Sequence, residues 1–361
     1  MDILKKDSDF ANKLISQEKT KNPIKYDMSS PLSGLTYILD TCDPQKNPKQ
    51  EKERLEKRYK THKFFYDEFK KIKCQDQIAK PIAFFENESL ENGVLGLKRN
   101  KKDSYYLMKH TQGARLHELI QNQETTYKDI KAAMSNLVLF HEFSSNAEAG
   151  EELNLEDPMD SNPNYYTCRF RDIFLKNLSK SGKNVSHKEE KELLFAYGIT
   201  INSALQDTNK SIYKDANPKN YLVQDNGNVV ALDIESNLKV PRHLDVVSLL
   251  EFGGDYLTSH QKNTLIEYHR NALSKIPGED VSIEENKADY HIAAVQRHFE
   301  LAGYRLGELA TNSNDCIWTR DAAFYHINKG LGYLNLCIHN EYFEDSESLE
   351  KVGKTLRQIL R

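Results

Sequence analysis

A chain of 361 residues is long enough for two lobes or domains, each with a sizeable core. With 38% hydrophobic and 29% charged residues it reads as water-soluble and globular, and a net charge of -4 from 50 basic and 54 acidic side chains argues against a general nucleic-acid or membrane surface. No apolar run approaches the roughly 20 residues of a membrane helix, the start MDILKKDSDF lacks the apolar core of a signal peptide, and five scattered cysteines without metal-ligand spacing read as reduced thiols in a cytoplasmic protein.

Residues 1–44 read as a small β-rich segment, with an apolar-leaning start at 10–15 and strands over 23–28 and 35–41. Gly34 is the only early glycine, and the second strand carries Asp40 and no lysine. From Asp43-Pro44 the chain enters a highly charged helix over 48–72, where Leu55, Tyr59, His62, Phe65 and Phe69 make one apolar stripe at three-to-four spacing. Its charges read as a solvated face. Strands are expected over 81–88 and 93–97, around the turn Glu91-Asn92-Gly93. Tyr105 to Met108 reads as an apolar strand, followed by a polar break, Gly113, and Leu116 opening a helix. The next helix, over 125–143, carries Ile130, Met134, Leu137, Val138 and Phe140, with a threonine cap at its start and His141 as a structural histidine near its end. Residues 144–165 are acidic and turn-rich, an inserted loop that either covers a substrate mouth or is a mobile surface excursion. Helices over 166–178 and 187–205 follow.

The most informative stretch is 212–235. Asp215 and Asn220 sit five apart in a loop broken by Pro218, so the segment cannot be the interior of a helix. Leu222 and Val223 start a strand, Asn226-Gly227 is a strong hairpin signal, and 229–232 returns to deliver Asp233. Such a hairpin brings the loop before it and the acid after it to one edge. One carboxylate to accept the proton of an attacking hydroxyl, with an amide oxygen and a second carboxylate to hold Mg2+ on nucleotide phosphates, is what phosphoryl transfer needs. The last third, 245–361, is helical, with helices over 258–274, 287–309, 319–339 and 349–360. In the second of these, Ile292, Val295, Phe299 and Leu306 share one face, and Gln296, Arg297 and His298 are left polar-facing.

The order Asp-x4-Asn, hairpin, Asp resembles the catalytic core of the protein-kinase-like fold. The run Lys214 to Asn220 is similar to that of the aminoglycoside phosphotransferase and choline kinase family. So are Asp233-Ile234-Glu235, in place of Asp-Phe-Gly, and Pro241 to Leu250, with Asp245 opening a helix under the catalytic loop. Phe140-His141 resembles the Leu-His of that family. The resemblance spans about residues 10 to 310 and is specific over 212–250. It implies an α+β, bilobal protein-kinase-like fold, with a β-rich nucleotide-covering lobe over 1–112 and a mostly helical lobe over 113–361. It further implies that ATP and Mg2+ are used to move the γ-phosphoryl group onto a small-molecule hydroxyl. In that role Asp215 orients or deprotonates the hydroxyl, Asn220 and Asp233 hold Mg2+, and Glu235 supports the metal, the loop or the substrate. Backbone groups of Met108, Lys109 and His110 would hydrogen-bond the adenine.

Two family features are not plain, the glycine-rich loop and the third-strand lysine. Lys19, Lys21 or Lys25 would approach the phosphates from a neighbouring strand, with Lys25 taken as the candidate and Glu53, Glu56 or Glu68 as its acidic partner. Tyr213 stands where many relatives carry a His. The helix with Gln296-Arg297-His298 resembles, more loosely, that of bacterial kinases of N-acetylmuramate, and Ile38 to Pro44 resembles their third strand. That likeness points to a sugar or amino-sugar acceptor, with Arg297 and His298 as substrate residues. Choline-like amines and aminoglycosides compete, because Glu151, Glu152, Glu156 and Asp157 would suit a cationic acceptor. Two further readings stay open. One is a catalytically weak kinase-fold protein that binds nucleotide or a protein partner; the other is a helical binding protein with a fortuitous hairpin.

Overall fold

The computed structural model describes residues 26–29, 36–41, 48–79, 81–85, 105–109, 113–145, 153, 155–212, 215–232, 238–251, 256–276, 281–311, 316–343 and 345–360. In chain order the early elements are β1 (Tyr26–Ser29), β2 (Thr36–Thr41), α1 (Pro48–Lys71), β3 (Pro81–Phe85), β4 (Tyr105–Lys109), β5 (Ala114–Arg115), α2 (Leu116–Gln121) and α3 (Tyr127–Ser144). Then come α4 (Pro158–Ser161), α5 (Tyr165–Arg169), α6 (Lys176–Lys180), α7 (His187–Tyr197) and α8 (Ser203–Asp207). The loop region holds β6 (Lys210–Ile212), β7 (Tyr221–Val223), β8 (Val229–Ala231) and β9 (Lys239–Pro241). Five helices close the chain: α9 (His243–Glu251), α10 (Ser259–Leu273), α11 (Ile283–Thr311), α12 (Cys316–Ile338) and α13 (Ser346–Leu360). The expected helices over 166–178 and 187–205 both contain a π-helical turn, at Phe170–Leu175 and Gly198–Asn202. No helix among the described residues is long and apolar enough to cross a membrane.

The chain forms two compact units. One comprises Met1–Asn136, Asn146–Asn154 and Pro218–Asn237; the other comprises Leu137–Ser145, Leu155–Asn217 and Leu238–Arg361.

The first unit holds a four-stranded antiparallel sheet in the order β1-β2-β4-β3, with Met108 opposite Ile38 and Leu107 opposite Leu39. A second sheet runs β5-β7-β8. Its hairpin turns at Asn226-Gly227, where Gly227 takes a φ of 81° that side chains rarely adopt. The stripe read from α1 packs as its spacing requires: Leu55, His62, Phe65 and Phe69 are all buried. Leu55 meets Ala79, Leu222, Val230 and Leu232 in one cluster, with Tyr59 against it. The candidate acids Glu56 and Glu68 are engaged along their own helix, Glu56 with Lys60 at 2.7 Å and Glu68 with Lys71. The expected strand over 93–97 lies outside the described residues, as do Lys19, Lys21, Lys25 and His110.

The second unit is built around α11, which packs against α12, α9, α6 and the first π-helical turn. Its apolar side matches the sequence: Ile292, Val295, Phe299 and Leu306 are buried. Phe170 stacks on Tyr197 with centroids 4.1 Å apart, and Phe299 meets Phe170 edge-on at 5.6 Å. The polar side meets polar groups but not solvent: Gln296, Arg297 and His298 are 1%, 6% and 0% exposed. The spacing distinguishes one face of a helix from the other, but here protein covers both.

At Gly303 the helix lies so close to the π-helical turn that an added Cβ would come within 2.8 Å of the Phe174 Cα. Gly303→Ala is therefore expected to cost about 1–3 kcal/mol through a forced backbone shift, measurable as a lower urea midpoint; an unchanged midpoint would refute the close approach.

The structure gives two smaller expectations their detail. The expected threonine cap of α3 is Thr126: its hydroxyl accepts the Asp129 N–H at 3.3 Å, and its own N–H donates to the Asp129 carboxylate at 2.8 Å. Within the expected insert, residues 155–165 carry local structure. Asp157 accepts the Met159 N–H to cap α4, and Lys239 donates its N–H to the Glu156 carbonyl.

Candidate active site

Asp215 stands at the end of the second unit's part of the loop, and its backbone is unusual. Its φ is 55°, in the left-handed region that costs a residue with a Cβ unless its surroundings hold it there. Two contacts do so. The next amide, Ala216 N–H, donates to the Asp245 carboxylate at 2.8 Å, and Asn217 N–H folds back to the Asp215 carbonyl at 2.7 Å. Asp245 is fully buried in the first turn of α9, with the His141 ring 3.7 Å from its other oxygen. His141 in turn meets His269 at 2.8 Å, so the histidine read as structural sits in a wholly buried polar chain beneath the loop.

The side chain of Asp215 is 18% exposed and pairs with Arg297 at 3.1 Å. The Arg297 guanidinium is a hub. Its Nε donates to Ser248 Oγ at 2.8 Å and its Nη1 to Glu300 at 3.2 Å. Glu300 also receives Arg169, whose Nη2 reaches the Tyr304 hydroxyl at 3.0 Å and whose Nη1 reaches Tyr165 at 3.3 Å. Charge thus alternates from Asp215 through Arg297 and Glu300 to Arg169, which remains 30% exposed. Glu300 and Arg169 escaped the sequence reading. The available signal was Arg297 and Glu300 at i and i+3 on one helix, a spacing that lets opposite charges meet.

His298 points into a different cluster. It is fully buried, with its Nδ1 3.0 Å from that of His326, its ring stacked on Tyr333, and its Nε2 3.9 Å from Glu251. The structure therefore joins Arg297 to Asp215 and leaves His298 inside the core. Asp157 is likewise engaged, paired with Lys210 at 2.6 Å, which removes it from the acids offered to a cationic acceptor. Glu156 is exposed, and Glu151 and Glu152 lie outside the described residues.

In the first unit, Pro218–Asn220 forms a 3-10 turn that leads directly into β7. Asn220 is 9% exposed, and its carbonyl accepts the Leu232 N–H at 2.9 Å across the hairpin. Arg115, just before α2, donates to the Lys219 carbonyl at 3.0 Å and steadies the same turn. Met108 and Lys109 lie on β4, facing Ile38 and Tyr37 in the ladder. Asp233 and Glu235 lie outside the described residues. Among the described residues, no group of three or more His, Cys, Asp or Glu side chains could hold a metal ion.

Buried histidines give this region a pH signature. Burial pushes His243 down to about 3, with Arg242 and His141 adding to the effect and the Asn286 contact opposing it. Burial also drives His326 down to about 3, with His298 adding. Because the unfolded chain would protonate near 6.5, it takes up protons first as the pH falls. Stability is therefore full above about pH 6.5 and drains toward pH 3, by up to about 1.4 kcal/mol per unit per histidine. Urea midpoints measured from pH 7.5 down to pH 5 should fall, and His243→Gln should flatten the slope. A flat profile in the parent protein would contradict the neutral buried rings.

No family model and no curated protein sequence matches the chain. Solved structures do. A choline/ethanolamine kinase family protein from Mesorhizobium loti is similar at 12% identity and a TM-score of 0.52, over 96% of this chain and 99% of that one. Choline kinase LicA from Streptococcus pneumoniae is similar at 11% identity and 0.51, over 90% and 99%. The GDP complex of aminoglycoside 2'-phosphotransferase-IIIa is similar at 11% and 0.50, over 90% and 98%. Likeness at these identities is likeness of fold: the chain has the α+β, bilobal protein-kinase-like fold that these structures share.

Proposed function

We propose that the protein is a small-molecule kinase of the cytoplasm that uses ATP and Mg2+ to phosphorylate a hydroxyl group. The observation that carries this reading is Asp215: a residue with a Cβ held at a φ of 55°, with Arg297 on its carboxylate, five residues before Asn220. Strain of this kind persists where the surroundings over-determine it, often at working sites. Asp215 would take the acceptor proton, and Arg297 would fix the orientation of its carboxylate. Asn220 and Asp233 would hold Mg2+, since an amide oxygen and a carboxylate are hard donors that suit this cation. When bound, Mg2+ supplies neutralisation of phosphate charge. Met108, Lys109 and His110, on and after β4, would receive the base, and Lys25 the phosphates, from a nucleotide-covering lobe over 1–112.

The acceptor class we favour is a hydroxyl compound that also carries an amine, whether an amino alcohol or an amino sugar. Support comes from the shared fold of choline and aminoglycoside kinases. The preference for a sugar as such weakens, because Gln296 and His298 are buried and Arg297 is committed to Asp215. That same Arg297 pairing favours a second reading, a nucleotide-binding protein of low turnover whose base is restrained.

The deciding experiment is a thermal shift with ATP, with and without Mg2+, on the parent protein and Asp233→Asn. Ligand at about 100 times its Kd stabilises the native state by about 2.7 kcal/mol. A Mg2+-dependent rise that Asp233→Asn loses supports the site, and no rise in the parent protein refutes it. An acceptor panel under Mg-ATP then separates turnover from binding alone.

A further inference from the structure

The Arg297 guanidinium divides its donors in an uncommon way. The planar fork of an arginine matches both oxygens of one carboxylate, and such pairs are frequently bidentate. Here the fork is split between two acids. Nη2 donates to Asp215 Oδ1 at 3.1 Å, while Nη1 turns to Glu300 Oε2 at 3.2 Å and Nε to Ser248 Oγ at 2.8 Å.

Glu300 is placed to enforce that division. It is 6% exposed and stands three residues after Arg297 on α11, the spacing at which two helical side chains meet. Its other oxygen, Oε1, receives Arg169 from α5. Arg169 is anchored in turn, because its Nη1 and Nη2 reach the Tyr165 and Tyr304 hydroxyls at 3.3 and 3.0 Å. Without the Glu300 carboxylate, Nη1 would be a buried donor that has lost its acceptor, which is costly. The carboxylate that Arg297 already touches is that of Asp215, and a turn of the fork would close on it. A second N–H on Asp215 would favour its charged form and occupy the oxygen that a general base needs.

We infer that Glu300 is a positioning residue for Asp215: by taking Nη1, it confines Arg297 to Oδ1 and keeps Oδ2 for the acceptor hydroxyl. Arg169 holds Glu300 in that position from the side away from Arg297. The role rests on the phosphotransfer reading, in which Asp215 is the base; the division of the fork does not.

The test is an NMR pH titration of the full chain labelled with 13C-aspartate, with the Asp215 carboxyl signal assigned by its loss in Asp215→Asn. Charged groups around it come from α11 (Arg297 and Glu300), α5 (Arg169) and α9 (Asp245, with His141 of α3 behind it). Glu300→Gln and Glu300→Leu remove the same charge, but only Gln keeps an oxygen that accepts from Nη1. The Asp215 midpoint in Glu300→Leu is expected at least about one pH unit below that in Glu300→Gln, the scale of an added arginine contact. The double variant Arg169→Leu with Glu300→Leu leaves the net charge unchanged and removes the ion pair whole, a change that buried pairs often tolerate. Its midpoint should fall by about one pH unit from that of the parent protein, and it keeps the test open if Glu300→Leu unfolds. Equal midpoints in the Gln and Leu variants, or an unmoved midpoint in the folded double variant, overturn the inference. Failure of the phosphotransfer reading is seen elsewhere, as turnover that survives Asp215→Asn, so the two failures are distinguishable.

Discussion

Asp215→Asn is expected to reduce phosphoryl transfer by at least about 10²–10⁴-fold, the usual contribution of a positioned general base. The substitution is chosen for the backbone. Asn tolerates the left-handed region as Asp does, so a φ of 55° survives while the charge is lost. Arg297 keeps Ser248 and Glu300, so its side chain does not become an uncompensated buried cation. The variant should therefore melt near the parent protein and retain its Mg2+-dependent response to ATP. The rate is read as ADP release in the presence of an acceptor from the panel. Turnover within tenfold of the parent protein would remove Asp215 from the catalytic role.

Glu251→Ala is expected to destabilise the protein by about 3–5 kcal/mol, because it strips the carboxylate from a buried ion pair. Glu251 is 0% exposed at the end of α9. Both of its oxygens lie 3.0 Å from the Lys262 ammonium, and the Tyr290 and Tyr333 hydroxyls donate to it at 3.0 and 2.6 Å. Removing it leaves Lys262 and two hydroxyls without that acceptor in a setting where water does not replace it. The double variant Glu251→Leu with Lys262→Met should recover most of the loss, since replacing a whole buried pair by apolar groups is often neutral or stabilising. Urea denaturation of the single and double variants gives the coupling directly. A loss below about 1 kcal/mol for Glu251→Ala would mean that water reaches the cluster.

These two predictions meet on α9. Asp245, Ser248 and Glu251 recur every third residue along a helix whose residues are all buried. The first holds the Ala216 amide, the second receives Arg297, and the third anchors Lys262 with Tyr290 and Tyr333. In the sequence this helix looks like an ordinary apolar one with three polar interruptions. Only Asp245 stood out, and it did so through the family resemblance of Pro241 to Leu250.

Much of the fold was legible because its determinants are local. The apolar stripe of α1, the turn at Asn226-Gly227 and the extents of the late helices are written within a few residues, so sequence spacing alone locates them. Thr258, at the expected start of 258–274, makes the reciprocal cap with Gln261. Asp215 and Asn220 stand out in the sequence for the same reason, being five residues apart around a proline. The alternation of Asp215, Arg297, Glu300 and Arg169 was not legible, because its members lie up to 131 residues apart and meet only when α11 packs against α5 and the loop. Nor was the burial of Gln296, Arg297 and His298. Periodicity tells which side of a helix is apolar, while tertiary packing decides whether the polar side meets water or other charges. Local spacing sets the helices, the hairpin and the order of the loop motifs; packing sets which polar groups those elements bury and pair, because an ion pair in the core depends on distance in space and not on distance along the chain.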